Sequence, residues 1–428
     1  MKPHASRIVA AALAAIALLP LRAGAQSGTW TNLLGGSWQT ADNWDGGVMA
    51  SGADATADFS TLDISATRTV TLDGNVTVGS LLFTDTAAAH NNWALNAGTP
   101  AGVLTLDVTA GAPVINVTTA TTTIAAQIAG TDGLTKQGRG ILTLTASNAY
   151  SGTTTVQSGT LQVYNDHALG DSASGVALAP GVGMGYATLQ LNAGRVVTNA
   201  LLTLSALGNN ERAVLRSSGA TWVGDILITT GNNLNLLQSD SGTFRLYGNV
   251  TNNGTAGGGI QFRGGGAGEV YGSINIPGQL AKNDSGTWTM YGPGNSWTSL
   301  LVAQGILRMG TSAVLVAGTP VSFASDKTVM TLDLNGFDQT VRGITAGTIY
   351  SGKVVSATAA TLTIDTLGST YTSLAAIQGA ITLVKAGAGV QILQNTNTWT
   401  GATILSNGTL RIVRRSEEHT SELQSRQS

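Results

Sequence analysis

Residues 130–163 read GTDGLTKQGRGILTLTASNAYSGTTTVQSGTLQV, and this stretch returns twice in weaker form. Residues 279–309, QLAKNDSGTWTMYGPGNSWTSLLVAQGILRM, and 380–412, AITLVKAGAGVQILQNTNTWTGATILSNGTLRI, follow the same plan. Laid on one another, the copies match Lys136 with Lys282 and Lys385, Leu144 with Met290 and Leu393, and Tyr150 with Trp297 and Trp399. They also match Gly159 with Gly305 and Gly408, Leu161 with Leu307 and Leu410, and Val163 with Met309 and Ile412. The lysines lie 146 and then 103 residues apart, so other units must separate the copies.

Within the first copy, residues 141–145, 153–156 and 160–163 are short runs of Leu, Val, Ile and Thr, punctuated by Gly138, Gly140, Gly152 and Gly159. Alternation places Leu142, Leu144, Leu161 and Val163 on one face and Thr143 and Gln162 on the other, the pattern of strands. One such unit cannot fold alone. Burying roughly six to eight inward side chains yields about 1.5–3 kcal/mol each, whereas fixing some two dozen backbones costs about 1–2 kcal/mol per residue. Stacking on neighbouring units supplies the difference by running one apolar core along an axis, so the chain is expected to be all-β, a solenoid of parallel strands.

Leu134, Lys136, Gly138 and Gly140, then NAYSG at 148–152 and SGTLQV at 158–163, resemble the autotransporter-associated β-strand repeat of passenger regions in bacterial secreted and surface proteins. The second copy departs from that pattern at Asp284 and Ser299, where glycine is usual. The resemblance implies a right-handed parallel β-helix, usually exported, and leaves the ligand unspecified.

Composition agrees with a packed chain. Of 428 residues 10% are charged, with 56 Gly and 8 Pro, and mean hydropathy is +0.16; disorder would want more charge and less apolar content. Residues 1–25 read as a secretory signal: Lys2 and Arg7, an apolar run over 8–19, then Ala23-Gly24-Ala25 as a small-residue cleavage site. The mature chain is expected to begin near Gln26. There is no cysteine, although an exported chain could have formed disulfides, so strand pairing and core must hold the fold.

Residues 26–129 read as an N-terminal cap with the first strands. Three tryptophans in GTWTNLLGGSWQTADNWDGG at 28–47 suit a cover over the raw end of a stack better than a carbohydrate-stacking cluster. The β-helix is expected over 130–414. GGGIQFRGGGAGEVYG at 257–272 reads as a turn-rich coil; it lacks the Gly-Lys-Ser/Thr ending of a phosphate loop. Asn253-Gly254, Asn335-Gly336 and Asn407-Gly408 each suit a tight turn. The segment 415–428, RSEEHTSELQSRQS, breaks with all that precedes and resembles a translated sequencing adapter, a non-native tail to be left out of the fold. The family likeness implies that the gene continues beyond Arg414 into a membrane translocator or a sorting tag.

The search for chemistry yields no catalytic, cofactor-binding or metal-ligating residues. His90 and His167 sit in polar, turn-like settings, no cluster has zinc spacing, and thiol chemistry is excluded. The nearest carboxylate pairs, Asp42 with Asp45, Asp54 with Asp58 and Asp333 with Asp338, read as turn residues. Tyr150, Trp297 and Trp399 read as corner packing, with a sugar-stacking stripe as the alternative. Between 26 and 414 there are 16 basic and 20 acidic residues without runs, which argues against nucleic acid or an anionic membrane surface as partner. Two function classes follow. The first is an exported, non-enzymatic surface or secreted passenger acting in adhesion, aggregation or as a stalk, with glycans or other surface proteins as partners. The second is a polysaccharide-acting β-helical enzyme, a lyase or hydrolase, which a compact Asp and Arg cluster on one coil face would favour.

Overall fold

The computed structural model describes residues 24–86, 90–208, 210–232, 234–254, 256–324, 329–347 and 352–413. The expected tail at 415–428, and the expected signal apart from Gly24 and Ala25, lie outside them.

The described chain is a parallel β-solenoid of about 15 turns with almost no helix, since only the 3-10 turns Ala41–Asn43 and Asp45–Gly47 interrupt the strands. At one coil per strand spacing of about 4.8 Å, the stack is about 70 Å long. Each coil passes over three faces. In the first coils these are a face carrying Thr56–Phe59, Ser80–Phe83 and Val114–Val117, a second carrying Arg68–Leu72, Trp93–Ala97 and Thr121–Ile124, and a third carrying Val76–Val78, Leu104–Leu106 and Ile128–Gly130. The second face continues unbroken from Gly36–Ser37 to Thr409–Ile412. In Val196–Leu204, Thr221–Ile228, Gly352–Asp365 and Ala376–Ala386 the third and first faces are joined by one long strand that bends through the corner, with register shifts between Thr198 and Leu201 and between Ser356 and Ala360.

Parallel pairing puts like on like. Leu142 stands beside Leu161, which stands beside Leu189, then Leu215, Leu237 and Phe262, and all six are buried. That column is the axial core the alternation called for. The outward residues stack equally strictly: Thr143 donates to Gln162 Oε1 (3.2 Å), and Gln162 Nε2 to Gln190 Oε1 (3.0 Å). Thr143 points outward yet is only 6% exposed, because the glutamine ladder of the following coils covers it.

Residues 257–272, read from the sequence as a turn-rich coil, take their place in the stack as two strands joined by a bend at 264–266. Ile260–Arg263 and Ala267–Val270 are strands paired on both sides, and Ile260, Phe262 and Val270 face the core. Neighbouring coils supply the strand preference that so many glycines lack. The second repeat also keeps its register through Asp284, which adopts φ 60°, as Gly138 (φ 76°) and Gly387 (φ 69°) do at the matching positions.

At the start of the stack Trp30, Trp38 and Trp44 are at most 2% exposed. Trp44 meets Trp30 and Trp38 edge-on at 5.2 and 4.8 Å, and all three rings lie over Phe59, itself stacked on Phe83. Their indole N–H groups donate to the carbonyls of Asn32, Ala50 and Trp38. The antiparallel bridges Gln26 with Ser51 and Trp30 with Trp44 fold this segment over the first coil.

Candidate functional site

The repeat's most constant side chain proves to be structural. Lys136, Lys282 and Lys385 are fully buried, each standing in an inward column beside apolar residues such as Ile115, Phe262 and Ile364. Lys136 Nζ donates to the carbonyls of Gln137 (2.8 Å), Gly138 (2.7 Å) and Ser158 (3.2 Å). Lys282 does the same to Asn283 (2.7 Å), Asp284 (2.8 Å) and Gln304 (3.0 Å), and Lys385 to Ala386, Gly387 and Asn407. The left-handed residue two places on turns its carbonyl back toward the amine, which explains why glycine is usual there. Burial lowers the pKa of all three, to about 7 for Lys136 and about 8 for Lys282, where Asp284 opposes the shift. The carbonyl acceptors favour the ammonium and also oppose it.

Asparagine forms a second staple. Asn148 accepts from the Ile128 N–H (2.9 Å) in the coil before and donates to the Ala168 carbonyl (2.6 Å) in the coil after. Asn295 ties Ile274 to Val314 in the same manner, and Asn397 accepts from Ile377. The neighbouring aromatics are packing groups. Tyr150 is fully buried with its hydroxyl 2.7 Å from Thr154 Oγ1, and burial raises its pKa. Trp297 is 5% exposed, and Trp399 packs against the core with its N–H on Thr403. No outward aromatic stripe arises from these positions.

Of the weighed carboxylates, Asp42 and Asp45 lie in the two 3-10 turns, and the others have partners of their own. Asp333 pairs with Arg308 (2.8 Å), Asp338 accepts from the Thr361 N–H, Asp54 from the Thr109 N–H and Asp58 from Ser60. His90 Nδ1 lies 3.3 Å from the Asp85 carbonyl, and His167 is exposed in a turn. No group of three or more metal-ligating side chains occurs among the described residues. Three arginines bind acids one coil away at 2.9 Å or less, Arg216 with Asp240, Arg245 with Glu269 and Arg308 with Asp333, and Arg195 lies 3.5 Å from Asp166. These are two-member bridges along the stack, and as partly exposed pairs they add little stability.

What the sequence reading missed is an outward tyrosine ladder. Tyr247, Tyr271 and Tyr291 occupy one column of consecutive coils and stack face to face at 4.4 and 4.8 Å, within 7° and 4° of parallel. The Tyr271 hydroxyl donates to Glu269 (3.0 Å), and its pKa rises to about 12 through burial first and then Glu269. The available signal was Tyr-Gly, repeated at 247–248, 271–272 and 291–292. Each of these glycines sits where a Cβ would lie within 2.0 Å of the carbonyl of the corner glycine one coil earlier. Beside Tyr247 the column ends in a trough of about 530 Å³ lined by Ser172, Thr198, Asn199, Val223, Asp225 and Tyr247.

Comparison with known proteins agrees with the repeat. The passenger-associated-transport-repeat family matches residues 134–163, 280–309 and 383–412. In each copy the match holds the lysine with its three carbonyls and the asparagine staple. The chain is 35% identical over 158 residues to the adhesin BmaC autotransporter of Brucella suis biovar 1 (strain 1330), a stretch that is 37% of this chain and 4% of that adhesin. The chain thus spans only a small part of its relative's length. No solved structure matches.

Proposed function

We infer that this passenger-repeat solenoid is an exported, non-enzymatic passenger, located at the cell surface or outside the cell, which acts in adhesion or aggregation by presenting its outer face. The observation that carries the reading is the passenger-associated repeat itself, three times on one continuous parallel stack, together with the likeness to an adhesin. The outer surface supports it. Gln162 and Gln190 offer uncharged hydrogen-bonding groups on successive coils, and Arg216 and Arg245 are paired with acids along the axis. A rigid stack that repeats weak contacts gains avidity without one strong site.

Cells displaying the chain are expected to adhere to glycan-coated surfaces or to aggregate more than cells without it. The purified chain is expected to leave a panel of acidic and neutral polysaccharides intact. Reproducible cleavage of one polysaccharide, abolished by substituting a single Asp or Arg, would overturn the non-enzymatic reading in favour of a β-helical lyase or hydrolase.

A further inference from the structure

We propose that the trough at the head of the tyrosine ladder is a binding subsite for one neutral hexopyranose unit of a glycan, stacked on Tyr247 and held at its rim by Asn199 and Asp225. The inference rests on the surface-passenger reading and gives that surface a defined site.

The ladder sets the shape. Tyr291 leans over Gly310, where a Cβ would come 2.3 Å from its ring, so that end of the column is closed. At the other end the rungs next to Tyr247 are Val223, its strand partner, and then Thr198. Both are small. A layer is therefore left open where a fourth ring would lie, and Tyr247, stacked on Tyr271 on one side, remains 42% exposed. A pyranose suits that layer because it presents a patch of C–H bonds to an aromatic face and hydroxyls at its edge.

The rim supplies the matching polar groups. Asn199 is 3% exposed, and its carboxamide oxygen receives only a long bond of 3.4 Å from the Leu201 N–H. Its amide group lines the trough, where the N–H can donate to a sugar hydroxyl. Asp225 accepts from the Asn249 N–H (2.8 Å) and keeps further acceptor capacity for a hydroxyl donor. No lysine or arginine lines the trough, and Asp225 would repel a second anion, so uronates and phosphorylated sugars are disfavoured. A peptide strand is disfavoured as well. The backbone of 196–198, 221–223 and 245–247 is paired coil to coil, which leaves no open edge for it to join.

The test titrates the purified full chain with malto-, cello-, manno- and galacto-oligosaccharides, and with oligogalacturonate as the acidic control, by saturation-transfer NMR and calorimetry. At least one neutral oligosaccharide is expected to bind. Tyr247→Ala and Asn199→Ala should weaken it by about fivefold or more, whereas Tyr247→Phe, which keeps the ring, should hold affinity within about twofold. Val223→Tyr adds a rung to the ladder, fills the open layer and should abolish binding while the melting temperature stays at or above that of the parent. Absence of binding across the neutral panel, unchanged binding in Tyr247→Ala or Val223→Tyr, or preference for oligogalacturonate would overturn the proposal. Adhesion of displaying cells is scored in parallel. Adhesion without any saccharide binding by the purified chain would refute the subsite and spare the passenger reading. Saccharide binding without any adhesion would do the reverse.

Discussion

A buried lysine is an unusual choice for a core column, and its three carbonyl acceptors explain it. The stem of Lys136 fills an apolar slot while its amine ties two carbonyls of its own coil to Ser158 of the next. Lys136→Met keeps the stem and strands those acceptors, with an expected loss of about 2–4 kcal/mol in denaturant unfolding. The same residue carries a pH signature. In the unfolded chain the amine holds its proton up to about pH 10.5, whereas burial lets the folded amine release it from about pH 7. The unfolded state then binds more protons across that window, so stability should rise with pH between about 7 and 10.5. Urea titrations at rising pH check this: the slope should be positive in the parent and smaller in Lys136→Met, and a flat parent profile would mean that the carbonyls hold the ammonium against burial.

At the level of a strand and its neighbours, inward and outward positions are both covered, but by different chemistry. Leu144→Asp places a charge among fully buried Leu and Val and should cost about 3 kcal/mol or more. Thr143→Asp disturbs a glutamine ladder that water can reach at its flanks, and about 0.5–1.5 kcal/mol is expected. Equal losses in thermal unfolding would refute the facing assigned to this strand. Asn148 belongs to the same scale, because it joins three successive coils. Asn148→Ala orphans the Ile128 N–H and the Ala168 carbonyl, and about 2–3 kcal/mol should be lost. Hydrogen exchange at Ile128 should accelerate in that variant, and unchanged exchange would exclude the staple.

Over the whole molecule, three faces related by stacking give the repeat freedom in where it begins. In the first and third copies the lysine strand precedes Ile141–Leu144 and Val390–Leu393 on the second face. In the second copy the lysine strand Gln279–Lys282 itself lies on that face, so the motif is displaced by one face around the coil. Either corner accepts the staple because each offers the same turn of carbonyls. The stack also needs an end. Removing residues 26–51 would uncover Phe59 and leave Thr56–Phe59 without its partner Gly28–Thr29, so the shortened chain should self-associate in size-exclusion chromatography. A monomeric, fully stable product would deny the tryptophan segment its covering role.

Strand alternation in 130–163, and its return at 279–309 and 380–412, determined by themselves that the chain is a parallel β-solenoid, since a motif too small to bury its own core must stack. They determined equally that Leu142, Leu144, Leu161 and Val163 face inward, because a period of two admits no other arrangement. Tertiary structure alone decided what Lys136 and Asn148 do, as their partners Ser158, Ile128 and Ala168 lie a coil away and meet them only once the register is set. It decided the tyrosine ladder for the same reason. Tyr247, Tyr271 and Tyr291 are 24 and 20 residues apart, and unequal corner lengths hide that spacing from any fixed period. Coil-to-coil pairing turns those intervals into ring contacts of 4.4 and 4.8 Å, the distance at which parallel strands stack.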